Sequence, residues 1–376
     1  MRLGGDSRVP KNGETSSRID ILRFPLIVGV VLIHNYSMTV QTDEGIIGSA
    51  HVGFWVDFVR LFVSEGIART AVPLFFMISG YLFFRGGWSW GKYGSKLKRR
   101  INTLLIPFLF WNLATLGAYL FERRIPQARA YVYGSFWLPS NYSSFLSYIN
   151  ALFGITLKYP IAFQFWFIRD LMALVVLAPL VHFLLTPRTA LPFLAALFCL
   201  WISGIWPFLY PSVDASFFFY LGAYLSRPEK EVEYLDKFGQ WLSAAFLFCL
   251  ILHSAFPFLP YLLKSVIIFG VPSVWWLTGL ALRNCKLKSL LAGLSGASFF
   301  VFAAHEPLLN TIRKIAFKML VPASGAAILA LYFLIPICLI TILVLTYRGL
   351  VKATPHFAGI ITGNSNRPAG NRSEEH

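Results

Sequence analysis

Charged residues are scarce in this 376-residue chain, and acidic ones are scarcest. Only 13% of its residues are charged, with 17 Asp and Glu against 33 Lys and Arg, whereas 56% are hydrophobic. The mean hydropathy is +0.62. A soluble core of this length needs far more polar covering, so the composition excludes an ordinary soluble protein and predicts one that resides in a lipid bilayer.

Cysteine is also rare, and the common motifs of metal and nucleotide chemistry are missing. The four cysteines have no CxxC spacing, so we expect neither a disulfide nor a zinc site. The chain has no HExxH, GxxxxGK[ST] or GxSxG motif, and no histidine is followed five positions later by aspartate. Metal-dependent and nucleotide chemistry therefore have no support in the sequence.

Long apolar runs are abundant. Most are about 17 to 25 residues long, enough for a helix to cross a hydrocarbon core of roughly 30 Å. They have no alternating period of two, so the sequence predicts an all-α, polytopic integral membrane protein with about ten transmembrane helices. The runs lie at about 21–40, 66–85, 101–121, 163–186, 190–209, 214–227, 238–256, 262–282, 290–311 and 325–347.

The distribution of Lys and Arg predicts the orientation. Basic clusters precede the first run, follow the second and follow the eighth, which places both termini in the cytoplasm if ten helices alternate. Residues 1–17 and 351–376 are then cytoplasmic tails around a transmembrane domain at 18–350, and the first run is a retained signal anchor. The net charge of +16 is interleaved with apolar segments, so we expect contact with lipid and no nucleic-acid binding. Six basic residues oppose this orientation: Arg123, Arg124, Arg129, Arg313, Lys314 and Lys318.

Ionisable residues share one face of the first run. Asp20, Arg23 and His34 fall on a single helical stripe, with ten residues between Arg23 and His34 and about 16 Å of helix separating them. Because charge inside a bilayer is costly, this stripe is a functional-site hypothesis.

Two further polar groups lie inside apolar runs, near their predicted outer ends. The first is Trp166 with Arg169 and Asp170, and the second is His305 with Glu306. Adjacent helical residues point about 100° apart, so we expect Arg169 and Asp170 to pair with neighbouring helices and not with each other. Counting along the helices places His34 and His305 in the same outer half of the membrane, where these groups are candidates for substrate binding.

Four cations instead cluster toward the predicted inner face, namely Lys96, Lys98, Arg99 and Arg100. They either fix the topology or bind the phosphates of an anionic cytosolic donor. An acceptor hydroxyl at the other end needs a base, for which histidine is the usual choice. The outer segment from about 122 to 162, which includes Trp137, is either an ordinary interfacial loop or a cover for that end.

These landmarks resemble the membrane-bound acyltransferase type 3 family, whose members O-acetylate bacterial surface polysaccharides. The resemblance rests on the order and spacing of six segments: Arg18–Arg23 with His34, Pro73–Leu82, Lys96–Arg100, Phe165–Arg169, Phe217–Gly222 and Ser298–Pro307. It implies ten helices in the bacterial inner membrane, acetyl-CoA as cytosolic acyl donor, a glycan or lipid-linked sugar as acceptor, His34 as the catalytic histidine and Arg23 as its essential partner.

The chain departs from the family pattern at two points. Lys96 stands where members usually carry the first of two arginines, and Glu306 separates His305 from the proline. A lysine keeps the charge but loses the bidentate geometry of arginine. With no soluble domain after the helices, the chain resembles the short, transmembrane-only members.

The sequence leaves several alternatives open. A transporter or flippase of a glycan precursor would place similar charges along a path through the membrane, although no inverted repeat is visible. A non-catalytic scaffold would leave His34 unexplained. The sequence does not separate direct transfer from an acyl-histidine intermediate, or a monomer from a homo-oligomer. Acetyl is the acyl group that the resemblance implies, and succinyl also fits.

Overall fold

The computed structural model describes residues 11–42, 45–48, 52–125, 144–227 and 236–363. Except for one short antiparallel hairpin, its regular elements are helices. The first half contains α1 (Lys11–His34), strands β1 (Thr39–Thr42) and β2 (Gly45–Gly48), α2 (Phe54–Arg60), α3 (Ala71–Phe84), α4 (Trp90–Arg100), α5 (Ile106–Arg124) and α6 (Phe145–Phe153). The second half contains α7 (Trp166–Val176), α8 (Ala178–Leu184), α9 (Ala190–Ser203), α10 (Val213–Leu225), α11 (Gly239–Ala255), α12 (Leu262–Ala281), α13 (Cys285–Ser295), α14 (Ser298–Leu320), α15 (Gly325–Ala353) and α16 (Pro355–Thr362).

Short π and 3₁₀ turns join some of these helices into longer rods. The turns Leu61–Gly66 and Ile67–Thr70 connect α2 to α3, and the turn Ile101–Leu105 connects α4 to α5. A further 3₁₀ turn, Phe163–Phe165, leads into α7. These irregular turns alter the helical twist where the rods carry residues of the site described below.

Every predicted apolar run coincides with a helix, but fewer than ten qualify as complete spans. Among the described residues, five rods are long and apolar enough to cross a membrane: Phe54–Phe84, Trp90–Phe121, Asp236–Ala255, Leu262–Ala281 and Gly325–Ala353. Two bent pairs, α7 with α8 at 60° and α13 with α14 at 62°, raise the number to seven. The structure therefore agrees with an all-α membrane protein, while ten spans and cytoplasmic termini stay predictions.

Helix α1 differs most from its predicted run. It begins at Lys11 and ends at His34, whereas the apolar run extends over 21–40. The earlier start follows from Arg18, which is buried and pairs with Glu14 at 2.7 Å and with Asp236. After His34 the chain turns into the hairpin, where Met38 and Val40 are buried. The apolar residues beyond His34 thus pack as a hairpin and not as helix.

Glycine allows α3 and α10 to cross at close range. A Cβ atom at Gly80 would collide with the backbone oxygen of Phe219, and one at Gly222 would collide with the backbone oxygen of Met77. Small residues permit such close approach between membrane helices. Two of the six sequence landmarks therefore meet at one helix crossing.

Candidate functional site

A cavity of about 1910 Å³ lies inside the bundle. Its walls are formed by α1, α3, the α4–α5 junction, α7, α13 and α14. Helix α1 runs along the cavity because it packs against the Ile67–Thr70 turn on one side and against α13 and α14 on the other. The ionisable stripe of α1 lines this cavity, as its helical spacing predicted: Asp20, Arg23 and His34 all belong to the wall.

One end of the cavity is rich in cations. Lys98, Arg99 and Arg100 line it from the end of α4, together with Arg23 and Asp20 of α1. The Arg23 guanidinium lies 3.5 Å from the Asp20 carboxylate, and both side chains are about half exposed, at 47% and 58%. This end can bind an anionic group such as a phosphate, since its three α4 cations have no carboxylate on their own helix.

Lys96, predicted to join this cluster, does not line the cavity. Its ammonium donates a hydrogen bond to the carbonyl of Phe83 and lies 5.2 Å from the centre of the Phe83 ring. Lysine at this position therefore ties α4 to the end of α3. The sequence placed Lys96 correctly beside the other cations but did not reveal which way its side chain points.

The opposite end of the cavity carries histidine, carboxylate and guanidinium groups. His34, Glu306, Asn310 and Arg313 line it together with Arg69. Arg313 is buried and donates hydrogen bonds to the carbonyl oxygen of Ser37 at 2.9 Å and to Oδ1 of Asn310 at 3.0 Å. It also interacts electrostatically with Glu306. This end can bind a polar, hydroxyl-rich group.

Sequence reasoning missed Arg69 and the position of Arg313 in the cavity wall. Arg69 lies in the 3₁₀ turn before α3, and its Nε and Nη2 donate three hydrogen bonds to the Glu65 carboxylate, at 2.6 to 2.9 Å. Arg313 follows Glu306 by seven residues, two helical turns, so the spacing places the pair on one face. The spacing from Glu306 could therefore have identified Arg313 as a candidate site residue, whereas no pattern in the sequence pointed to Arg69.

His34 ends α1 beside two other rings. Its ring centroid lies 5.0 Å from that of Phe163, edge to face at 74°, and 5.2 Å from that of His305, at 38°. The equal depth that the sequence predicted for His34 and His305 is matched by this ring contact. His34 lines the cavity, whereas His305 lies behind it and is fully buried.

A kink in α14 directs Glu306 into the cavity. Glu306 has non-helical backbone angles, and Pro307 has no N–H to donate to the carbonyl of Ala303. The side chain of Gln164 replaces that donor, since its Nε2 lies 3.1 Å from the Ala303 oxygen and 3.2 Å from the Glu306 oxygen. Gln164 thereby satisfies backbone groups that would otherwise be orphaned inside the membrane.

Arg169 and Asp170 pair with each other, so the expectation that they pair with separate helices was wrong. The Arg169 guanidinium lies 3.1 Å from Oδ1 of Asp170 because the long arginine side chain bends back along its own helix. It also donates to the carbonyls of Gly154, Leu157 and Lys158, while Oδ2 of Asp170 accepts a hydrogen bond from the Ser212 N–H. Neither residue lines the cavity, whereas their neighbour Trp166 does.

The Arg169 contacts shape the loop that brings Tyr159 to the cavity wall. Much of the predicted outer segment, including Arg129 and Trp137, lies outside the described residues, so its role as a cover stays a prediction.

Within the part that the structure describes, no group of three or more His, Cys, Asp or Glu side chains is arranged to hold a metal ion.

Aromatic side chains line the cavity between its two polar ends. Phe75, Phe167, Phe299 and Phe302 belong to the wall. Such a lining excludes water and suits an uncharged chain. The arrangement therefore joins the cation-rich end of the cavity to the histidine end through an apolar passage lined by aromatic side chains.

Comparisons with known proteins identify the family of this chain. The family model described as "Acyltransferase domain" matches residues 16–347, nearly the whole chain. The succinoglycan biosynthesis protein ExoH of Rhizobium meliloti (strain 1021) is 29% identical over 368 residues, which cover 94% of this chain and 93% of that protein. No solved structure matches this chain significantly.

Proposed function

This chain belongs to the membrane-bound acyltransferase type 3 family, and from that premise we propose that it transfers an acyl group from cytosolic acyl-CoA to a hydroxyl of a cell-envelope glycan. The observation that carries the proposal is the single cavity that joins the α4 cations to His34. Acetyl-CoA is the proposed donor, and the bacterial inner membrane is the proposed location.

The cationic end suits the phosphates of coenzyme A. Lys98, Arg99 and Arg100 supply positive charge from one helix end, and Arg23 adds a further guanidinium from α1. Charge-assisted hydrogen bonds to phosphate are among the strongest available to a protein. A donor held there extends its acyl thioester along the aromatic passage toward His34.

The histidine end suits a sugar. Tyr159 and Phe163 offer aromatic faces, and Glu306, Asn310 and Arg313 offer hydrogen-bonding groups for hydroxyls. The relative ExoH is named as a succinoglycan biosynthesis protein. We therefore propose an exopolysaccharide or its lipid-linked precursor as the acceptor.

His34 is the proposed base of the transfer. It takes the proton of the acceptor hydroxyl, the hydroxyl oxygen bonds to the acyl carbon, the carbon–sulfur bond breaks, and the proton passes to the departing thiolate. In the alternative route a ring nitrogen of His34 bonds to the acyl carbon first, the carbon–sulfur bond breaks and the thiolate leaves. The sugar oxygen then bonds to the acyl carbon, the carbon–nitrogen bond breaks, and the hydroxyl proton passes through the freed imidazole to the thiolate. Both routes use the His34 imidazole, and the position of His34 in the cavity wall supports either.

The test is release of free thiol from acetyl-CoA and, in parallel, from succinyl-CoA by the purified protein in lipid nanodiscs, with bacterial exopolysaccharide oligosaccharides as acceptors. We expect thiol release to rise when an acceptor is present. We also expect mass spectrometry to detect an ester-linked acyl group on that oligosaccharide. His34→Ala should abolish both signals. A protein that binds neither donor, or that carries oligosaccharide across vesicles without acylating it, would support the transporter instead.

A further inference from the structure

His305 is buried behind the cavity wall, and its two ring nitrogens have different surroundings. Nδ1 lies 2.6 Å from the carbonyl oxygen of Phe302, one turn earlier in α14. A carbonyl oxygen only accepts hydrogen bonds, so Nδ1 carries a hydrogen atom. In the neutral ring Nε2 then has a lone pair and no hydrogen.

That lone pair is unused. Nε2 of His305 is buried, and it has no hydrogen-bond partner among the described residues. The side chain is 0% exposed, so bulk solvent does not reach it. A buried polar atom without a partner costs roughly 1 to 3 kcal/mol, which makes such an atom in a native structure worth explaining.

A polar ring that lies against His305 is that of His34. The two ring centroids lie 5.2 Å apart with planes inclined by 38°, and no hydrogen bond joins them in this structure. A nitrogen-to-nitrogen hydrogen bond of ordinary length, about 3 Å, fits within this centroid separation when one nitrogen of each ring faces the other ring. Catalytic hydrogen bonds are often long in the unliganded protein and shorten when substrate binds.

We propose that His305 is the positioning residue of His34: its Nε2 accepts a hydrogen bond from one ring nitrogen of His34 and so directs the other, unprotonated nitrogen toward the acceptor hydroxyl. This inference rests on the proposed function. His305 touches neither substrate, because it lies outside the cavity wall. The Phe302 carbonyl fixes the tautomer of His305, and His305 fixes the tautomer of His34, which is the logic of a base oriented by a third group.

Three substitutions of His305 separate this role from packing. His305→Gln keeps an acceptor oxygen at the ε position, His305→Asn keeps a polar group only at the δ position, and His305→Leu keeps neither. Turnover of acetyl-CoA or succinyl-CoA, whichever the wild type consumes, is measured with oligosaccharide acceptors in nanodiscs. We expect kcat to fall about 100-fold for His305→Asn and His305→Leu, with donor KM within about twofold of wild type, and to recover to within about fivefold for His305→Gln.

The matched control is His253→Asn. His253 is a buried histidine of α11 that does not line the cavity. This control should leave kcat unchanged. The inference is overturned if His305→Asn matches wild type, if His305→Gln is as poor as His305→Leu, or if His253→Asn falls equally.

Failure of the proposed acyltransferase function would give a different result from failure of the positioning role of His305. A wild-type protein that releases no thiol from either donor removes the proposed function and this inference with it. A wild-type protein that is active and sensitive to His34→Ala, but insensitive at His305, leaves the function standing and removes only the positioning role.

Discussion

Arg23 and His34 line one cavity from two positions on α1 that have ten residues between them, about 16 Å along the helix. They therefore do not touch, although both belong to the same stripe. Arg23 lies with the α4 cations, and His34 lies with Glu306 and Arg313. We therefore infer that Arg23 binds the acyl donor and that His34 acts on the acceptor hydroxyl.

This separation predicts different kinetic defects. His34→Ala should lower kcat by about 10² to 10⁴-fold with donor affinity unchanged, because it removes the base but no phosphate contact. Arg23→Ala should weaken acyl-CoA binding by about tenfold, which corresponds to about 1.4 kcal/mol. Donor titration and steady-state kinetics distinguish the two, and His356→Ala, an exposed histidine of α16, is the control. Loss of donor affinity in His34→Ala would contradict the assignment.

Substitutions of Lys98 and Arg99, which line the cavity, should affect donor binding differently from substitution of Lys96, which does not line it. Arg99→Ala and Lys98→Ala remove charges from the cavity wall, so each should raise the donor KM several-fold, and more strongly at low salt. Lys96→Met should leave donor KM near wild type and instead lower thermal stability, because Lys96 bonds to the Phe83 carbonyl. Lys352→Ala, at an exposed site on α15, tests for a general effect of charge. Equal KM effects at Lys96 and Arg99 would refute the distinction.

Arg169 and Asp170 should behave as a coupled pair. Arg169→Met leaves a buried carboxylate without its partner, which typically costs 3 to 5 kcal/mol, so it should lower thermal stability strongly. Removing the charge as well, in Arg169→Met with Asp170→Asn, should restore part of the loss. Thermal unfolding of the detergent-solubilised protein measures both. Additive losses in the double variant would show that the contact contributes nothing beyond packing.

The α3–α10 crossing should not tolerate a side chain at its glycines. Gly80→Val adds atoms where the Phe219 backbone lies, so we expect poor folding or a large fall in thermal stability. Gly349→Ala, on α15 with open space around it, is the matched control and should be neutral or stabilise by about 0.5 to 1 kcal/mol. A Gly80→Val protein as stable as wild type would mean that the two backbones do not approach this closely.

Helix positions were largely predictable, because apolar runs of membrane length carry a strong signal. The helix ends were less predictable, since individual polar contacts with distant parts of the chain help to decide them. Arg18 extends α1 toward the N-terminus through Asp236, which lies more than 200 positions away and gives no local signal. The hairpin after His34 was missed because Met38 and Val40 continue the apolar run, although they pack in strands or beside them.

The site was predictable where its residues share one helix. The stripe of Asp20, Arg23 and His34 follows from helical spacing alone. The contact between His34 and His305 does not, because it depends on how α1 and α14 pack. The direction of the Arg169 side chain was mispredicted for a similar reason: spacing gives the direction of the Cα–Cβ bond, and a long flexible side chain can bend away from it.

The most direct test of the account is acyl transfer across a sealed membrane. The protein is reconstituted in one orientation in liposomes, with radiolabelled acetyl-CoA or succinyl-CoA only on the side of Lys98 and Arg99 and oligosaccharide only on the side of His34. We predict labelled oligosaccharide on the His34 side, free thiol on the donor side, and no transfer with His34→Ala. Acylation that occurs only when donor and acceptor share one side would contradict a passage for the acyl group through the cavity.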